Sequence, residues 1–83
     1  MKTYTATFAA TPNIFNLMFE HIYRVMTFYP DIHWSFRTVG IECSLLYVRT
    51  ARSADEVSTL QSELRSALGF PFELSESVKV ISL

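Results

Sequence analysis

Cysteine, glycine and charge are all scarce in this sequence. Its one cysteine, Cys43, excludes a disulfide within the chain and a zinc site built on paired cysteines. Its two glycines are too few for a glycine-rich loop that holds phosphate, so the P-loop and the dinucleotide-binding fingerprint are excluded. Charged residues make up 18% of the chain and hydrophobic ones 49%, against ~25% charged in an average soluble domain. This shortage of charge predicts that a partner or a second copy covers part of the surface.

Neither sign of charge dominates. Seven basic residues stand against eight acidic ones, a net charge of −1, and among the arginines only Arg49 and Arg52 lie close together in sequence. Because nucleic-acid binding usually has a basic footprint, this composition argues against nucleic acid as the partner. The first residues lack the apolar run of a signal peptide, and no stretch approaches the ~18 apolar residues of a membrane span. We therefore expect a cytoplasmic protein that does not bind membranes.

The first third of the chain predicts a strand followed by a helix. Residues 2–9 alternate between apolar side chains and threonines, which is typical of a strand with one buried face. Thr11 and Pro12 suit the N-cap and the first position of a helix that runs to about residue 28 and stops before Pro30. The apolar side of this helix is wider than one sheet contact needs. It is either all core or partly a surface for a partner, with Leu17, His21 and Phe28 toward its polar edge.

The middle of the chain predicts an antiparallel hairpin. Residues 31–37 and 41–49 have strand composition, and Val39–Gly40 is the expected turn. A two- or four-residue loop pairs Arg37 with Glu42, and directly opposed residues share one face of a sheet. This register places six side chains toward the core: Ile32, Trp34, Phe36, Cys43, Leu45 and Tyr47.

The last third predicts a helix and a final strand. Ser53 and Glu56 form a capping box, and Gly69 with Pro71 behind it suits the end of the helix. The helix has one apolar stripe, made of Val57, Leu60, Leu64, Ala67 and Leu68. A strand is expected over residues 74–83, which have apolar residues on both faces.

The resulting order is β-α-β-β-α-β. Each β-α-β half needs a right-handed crossover, and the two halves interleave into a four-stranded antiparallel sheet with both helices on one face. The sequence therefore predicts one α+β domain over residues 1–83 with a ferredoxin-like fold and strand order 4-1-3-2.

The side of the sheet that the helices leave uncovered is the expected contact surface, although an ordinary solvated face is equally compatible with it. We predict that a protein partner contacts Arg37, Glu42, Leu46, Val48 and Ile81 there. The full set of residues expected on this face is Thr3, Thr5, Thr7, His33, Ser35, Arg37, Glu42, Ser44, Leu46, Val48, Lys79 and Ile81.

Nothing in the sequence predicts catalysis, a metal site or a cofactor. Catalysis needs a nucleophile, an acid or base, or a metal, held together in one place. The two histidines, His21 and His33, and the single thiol of Cys43 are expected on three different surfaces. Asp55 and Glu56 are adequately explained as carboxylates that complement the dipole of the second helix. We therefore expect that the protein is not an enzyme.

Three functions remain. The first is a non-enzymatic module that binds another protein as an inhibitor, an adaptor or an immunity factor of the kind that phages and mobile elements encode; it acts as a monomer or a homodimer. The second is a regulatory domain whose dimer interface shelters a small ligand. The third is nucleic-acid binding through Arg37, Lys79 and His33 on the sheet. The open sheet face has no phenylalanine, tyrosine or tryptophan in the predicted register, which disfavours the third because bases stack on aromatic side chains.

Overall fold

The computed structural model describes residues 1–76. Its elements follow the predicted β-α-β-β-α-β order and form a four-stranded antiparallel sheet with two helices, as in the ferredoxin-like fold. The strands and helices are β1 (Lys2–Ala9), α1 (Pro12–Met26), β2 (His33–Gly40), β3 (Cys43–Thr50), α2 (Ala54–Leu68) and β4 (Ser75–Glu76). The rest of the predicted final strand lies outside the described residues.

The strand order across the sheet is β2-β3-β1-β4, so β1 and β3 are central, as predicted. The alternation of β1 sets which of its residues face the helices: Tyr4, Ala6 and Phe8 are buried. Their direct partners on β3 are Val48, Leu46 and Ser44 respectively. Because directly opposed residues share a face, the even-numbered residues of both central strands form the floor of the core.

The capping residues predicted from the sequence lie at the observed starts of both helices and at the end of α2. Thr11 is the N-cap of α1 and Pro12 its first residue, although the Thr11 side chain makes no capping hydrogen bond. Ser53 and Glu56 form the predicted capping box at the start of α2. At its other end Gly69 takes the left-handed conformation, with φ 81°, and its N–H donates to the carbonyl of Arg65. Neither helix within residues 1–76 has the length or the apolar content needed to cross a bilayer.

One hydrophobic core lies between the sheet and the helices. From α1 it takes Met18, Ile22 and Met26, and from α2 the predicted stripe, of which Val57, Leu60 and Leu64 are buried. Burying one such side chain contributes about 1.5–3 kcal/mol. Because the buried residues of both helices pack against the same side of the sheet, the helices cover that face and leave the other face open.

The predicted hairpin register is wrong. The turn consists of Ile41 and Glu42, two residues after the expected position, and Gly40 pairs with Cys43 as the last rung of the ladder. Glu42, the second residue of this turn, has φ 54°, so a glutamate and not the glycine takes the left-handed conformation. A bulge between Thr38 and Gly40 absorbs one residue of β2.

This shift exchanges the two faces of β3. Leu46 and Val48, predicted on the open face, are 0% exposed beneath the helices. Cys43, Leu45 and Tyr47, predicted in the core, are half-buried on the open side of the sheet. Both faces of β3 are apolar, so its alternation alone does not decide between them. The observed choice keeps the guanidinium of Arg49 exposed, whereas the core side ends on the smaller Thr50.

Candidate functional site

The residues that could perform catalysis do not meet. His21 is on α1, in the helical layer, whereas His33 and Cys43 are on strands. His33 pairs with Arg49, six residues along β3 from Cys43, which places the two residues about 20 Å apart at 3.4 Å per residue. Within residues 1–76 no three histidine, cysteine or acidic side chains are grouped so that they could hold a metal ion.

Of the four predicted contact residues within residues 1–76, only Arg37 lies where the sequence placed it. It is exposed on the open face, opposite Leu45. Glu42 is exposed in the hairpin turn and does not pair with Arg37. Leu46 and Val48 belong to the core and are not accessible to a partner in the folded domain. Ile81 lies outside the described residues, as does Lys79.

An aromatic cluster joins α1 to the edge strand β2. We call it the aromatic flank; its rings belong to Phe15, Phe19, Tyr23, Trp34 and Phe36. Phe15 and Phe36 stack with centroids 4.8 Å apart, which anchors the flank in the core. Phe19 and Tyr23, one helical turn apart, both contact Trp34, at 5.5 and 6.3 Å between centroids. These two outer rings are 37% and 56% exposed. The flank therefore presents aromatic surface directly above β2.

The strand beneath this flank has an open edge. Among residues 1–76, β2 pairs only with β3, so the backbone groups along its outer edge have no strand partner. Its eight residues contain neither lysine nor proline, the residues that commonly protect an edge from further pairing. A partner can therefore add a strand here and cover Phe19 and Tyr23 in the same contact.

Two opposite charges border the aromatic flank. Glu20 and Arg24 are exposed, and together with Phe19 and Tyr23 they line a shallow depression of ≈ 470 Å³ on α1. The four-residue spacing would allow an ion pair within the helix. The ion pairs formed by residues 1–76 instead join Lys2 to Glu76, and Arg52 to Asp31 and Glu56. Glu20 and Arg24 are thus both available to groups on another molecule.

The open face of the sheet has a second set of polar groups, arranged in rows across the strands. One row contains His33, Arg49 and Thr3, and the next contains Ser35, Tyr47, Thr5 and Ser75. A third row contains Arg37, Leu45 and Thr7. The central tyrosine thus lies between two rows that each contain an arginine.

A charged cluster ties the loop before β2 to the start of α2. The guanidinium of Arg52 donates to both carboxylate oxygens of Asp31, at 2.9 and 2.7 Å, and to Glu56 at 3.2 Å. The same guanidinium lies 4.9 Å above the ring of Tyr29, whose hydroxyl donates to Glu63. Three N–H groups of Arg52 bond to the two carboxylates, and its guanidinium also covers the ring of Tyr29, so the cluster holds the loop before β2 against the start of α2.

Replacing Arg52 with glutamine should raise the pKa of Asp31. The two hydrogen bonds from Arg52 hold the pKa of this carboxyl below its ordinary value of 3.8. Because the folded pKa is the lower one, the pair stabilises the fold above the unfolded pKa, and this contribution is lost as the pH falls through the folded pKa. An NMR titration of the Asp31 carboxyl carbon measures the change. Arg52→Lys, which keeps the charge without the bidentate fork, should give an intermediate pKa; an unchanged pKa in the glutamine variant would contradict the assignment.

A shallow cleft of ≈ 480 Å³ lies between the hairpin turn and the start of α1. Its walls are largely apolar, and Glu42 is its one charged residue; it is lined by Ala10, Pro12, Phe15, Gly40, Ile41 and Glu42, with Thr38. Ligand sites usually combine an apolar wall with several converging polar groups. The small-ligand function stays a prediction.

The sequence analysis missed Tyr47 and Arg49 on the open face and did not single out Phe19 and Tyr23. The placement of the first pair follows from the strand register, which apolar residues on both faces of β3 leave open. Phe19 and Tyr23 could have been predicted from the sequence. A helix whose apolar side is too wide for one sheet contact must expose part of that side. In comparisons with protein-family models, with curated proteins and with solved structures, no match to this chain was found.

Proposed function

We propose that the protein is a non-enzymatic interaction module, and that a second copy of the same chain is the partner of its aromatic flank and β2 edge. The observation that supports this most directly is the coincidence of an unpaired strand edge with exposed aromatic rings on the helix above it. A strand edge supplies main-chain hydrogen bonds, and the rings supply the apolar area that makes such a contact stable.

The charges beside the rings favour a second copy over a different protein. In a twofold dimer each residue of the patch faces the same patch in reverse. With the axis on the exposed side of α1, midway between Glu20 and Arg24, the glutamate of each copy faces the arginine of the other. The patch is thus complementary to itself in charge. An antiparallel pairing of the two β2 edges obeys the same symmetry.

Reversing one of these charges tests the proposal. Light scattering over a concentration series should give a mass twice the 9.5 kDa of the chain. Glu20→Arg places like charges together at two symmetric positions. At roughly 0.7 kcal/mol for each lost pair, the dissociation constant should rise about tenfold. The double variant Glu20→Arg/Arg24→Glu restores both pairs and should return the affinity to near its original value.

Glu73→Arg is the matched control, because it makes the same change at an exposed residue of the loop after α2. It should leave the dissociation constant within about twofold, the size expected of a distant surface substitution. A monomer at all concentrations would overturn the proposal. So would a dimer that Glu20→Arg and Glu73→Arg weaken equally, because the contact would then lie elsewhere. A monomer that captures a different protein through this surface would reject the second copy as the partner.

A further inference from the structure

We propose that the open face of the sheet binds single-stranded nucleic acid, with Tyr47 as the stacking platform and Arg37 and Arg49 as the phosphate contacts. This proposal does not depend on the dimer, because it uses the opposite surface of β2 and β3. It replaces the residues suggested by the sequence, since the observed register brings a tyrosine and a second arginine to this face.

The charge of the open face suits an anionic ligand. In β1, β2 and β3 the residues that face the open side include Arg37, Arg49 and His33 and no acidic residue. The eight acidic side chains lie elsewhere. Glu20 is on α1; Asp55, Glu56 and Glu63 are on α2; Asp31, Glu42 and Glu73 are in turns and loops. Glu76 shares the core-side face with Tyr4 and pairs with Lys2. The net charge of −1 is thus an average over unlike surfaces, and this one is basic.

The spacing of the two arginines suits a strand of nucleotides. Arg49 is opposite His33, four residues along β2 from Arg37. With 3.4 Å per residue and 4.8 Å between strands, the two arginine Cα atoms are about 14 Å apart. Tyr47 lies in the row between them, opposite Ser35 and Thr5. A base stacked on this ring therefore has a cation on either side for its neighbouring phosphates.

The remaining groups of the face suit the same ligand. Threonine and serine hydroxyls surround the tyrosine, and such hydroxyls commonly bond to phosphate and sugar oxygens. Within residues 1–76 this face has no dense set of paired donors and acceptors that would read a base sequence. We therefore expect weak binding with little sequence preference, with a dissociation constant of order 10⁻⁴–10⁻⁶ M at physiological salt.

The test is fluorescence anisotropy with labelled oligothymidine and oligouridine of about twelve nucleotides, a length within the site size of known single-strand binders. Two phosphate contacts predict that the logarithm of the association constant falls with the logarithm of salt concentration with a slope of about −1.4. Arg49→Gln or Arg37→Gln should each reduce this slope by about 0.7. Tyr47→Ser should weaken binding at least about fivefold, the lower end of the effect of removing one stacked base.

Lys2→Gln is the matched control. It removes one positive charge from an exposed residue on the core-side face of the same sheet, so it should leave both the affinity and the salt slope unchanged. Circular dichroism of each variant checks that the fold is intact. Absence of binding at about 50 mM salt would overturn the proposal, because a basic surface binds most strongly there.

Two further results would also overturn it. A Lys2→Gln effect as large as that of Arg49→Gln would mean that the oligonucleotide responds to total charge and not to this face. Binding to anionic lipid vesicles but to neither oligonucleotide would assign the arginines to a membrane surface instead.

Discussion

Replacing Leu46 with alanine should lower the free energy of unfolding by about 2–5 kcal/mol, whereas the same change at its neighbour Leu45 should cost less than about 1 kcal/mol. Leu46 is 0% exposed and lies between Ala6 and Phe36, its partners on the two flanking strands. Leu45 is half-buried on the open face. For a domain of this length the total free energy of unfolding is roughly 4–12 kcal/mol. The loss at Leu46 is therefore a large part of the whole.

Urea denaturation followed by circular dichroism measures both variants under identical conditions. The adjacent leucines are matched in size, chemistry and intrinsic strand propensity, so the difference between them reports which face of β3 is buried. Leu46→Asp should abolish folding, because an unpaired carboxylate would enter the core. A larger loss at Leu45 than at Leu46 would contradict the observed register and would return Leu46 to the open face, where the sequence analysis put it.

The element order was predictable because strong local signals separate the elements. The alternation of residues 2–9, Thr11 with Pro12, the capping box of Ser53 and Glu56, and Gly69 each mark a boundary by local backbone chemistry. Such signals act within one helical turn or one strand and do not depend on the rest of the fold. From this order, the crossover rule leaves few topologies, and the predicted strand order is confirmed.

The hairpin register was not predictable by the same means. The prediction assigned the turn to Gly40 because glycine tolerates positive φ without strain. Glu42 takes that conformation instead, and Gly40 ends the strand before it. A non-glycine residue with positive φ costs little free energy compared with burying the wrong face of an eight-residue strand. Packing of β3 against β1 and the helices therefore decided the register. Long-range packing of this kind leaves little trace in the local sequence; here the trace is the charge of Arg49, which the predicted register would have turned toward the core.

The wrong hairpin register also changed which residues were expected on the open face. The observed register removes Leu46 and Val48 from that face and brings Tyr47 and Arg49 to it. In the sequence, the low net charge and the lack of aromatic residues on the predicted open face both disfavoured nucleic acid as a partner. The observed register places one aromatic residue, Tyr47, on the open face. The acidic side chains lie away from this face, so the net charge of the chain understates how basic the face is.

The two proposals are geometrically compatible. A dimer formed through the β2 edges would join two sheets into one, with both open faces on the same side when the twofold axis is perpendicular to the sheet. Arg37 of each copy is on the strand at that junction. One continuous surface would then present Tyr47, Arg37 and Arg49 from each of the two copies. Binding of a strand long enough to reach both copies should consequently be tighter than binding of a short one.

The second large effect is expected at Phe8. Phe8→Ala should lower the free energy of unfolding by about 3–5 kcal/mol. Its ring is 3% exposed and lies 5.7 Å from that of Phe36, 5.8 Å from Phe70 and 4.9 Å from Phe72, measured between centroids. It therefore joins the central strand β1 both to the edge strand and to the segment that follows α2. Removing the ring opens a cavity and releases all three aromatic contacts at once.

Phe28→Ala is the matched control for Phe8→Ala, because the same atoms are removed from a side chain that is 79% exposed. It should change the free energy of unfolding by less than about 0.5 kcal/mol. Phe8→Leu keeps most of the volume and should cost distinctly less than the alanine variant. The segment 70–74 has no regular secondary structure of its own, so loss of the Phe8 ring should also expose its amides to hydrogen exchange. Equal losses for Phe8→Ala and Phe28→Ala would mean that the aromatic contacts of Phe8 do not hold this segment to the core.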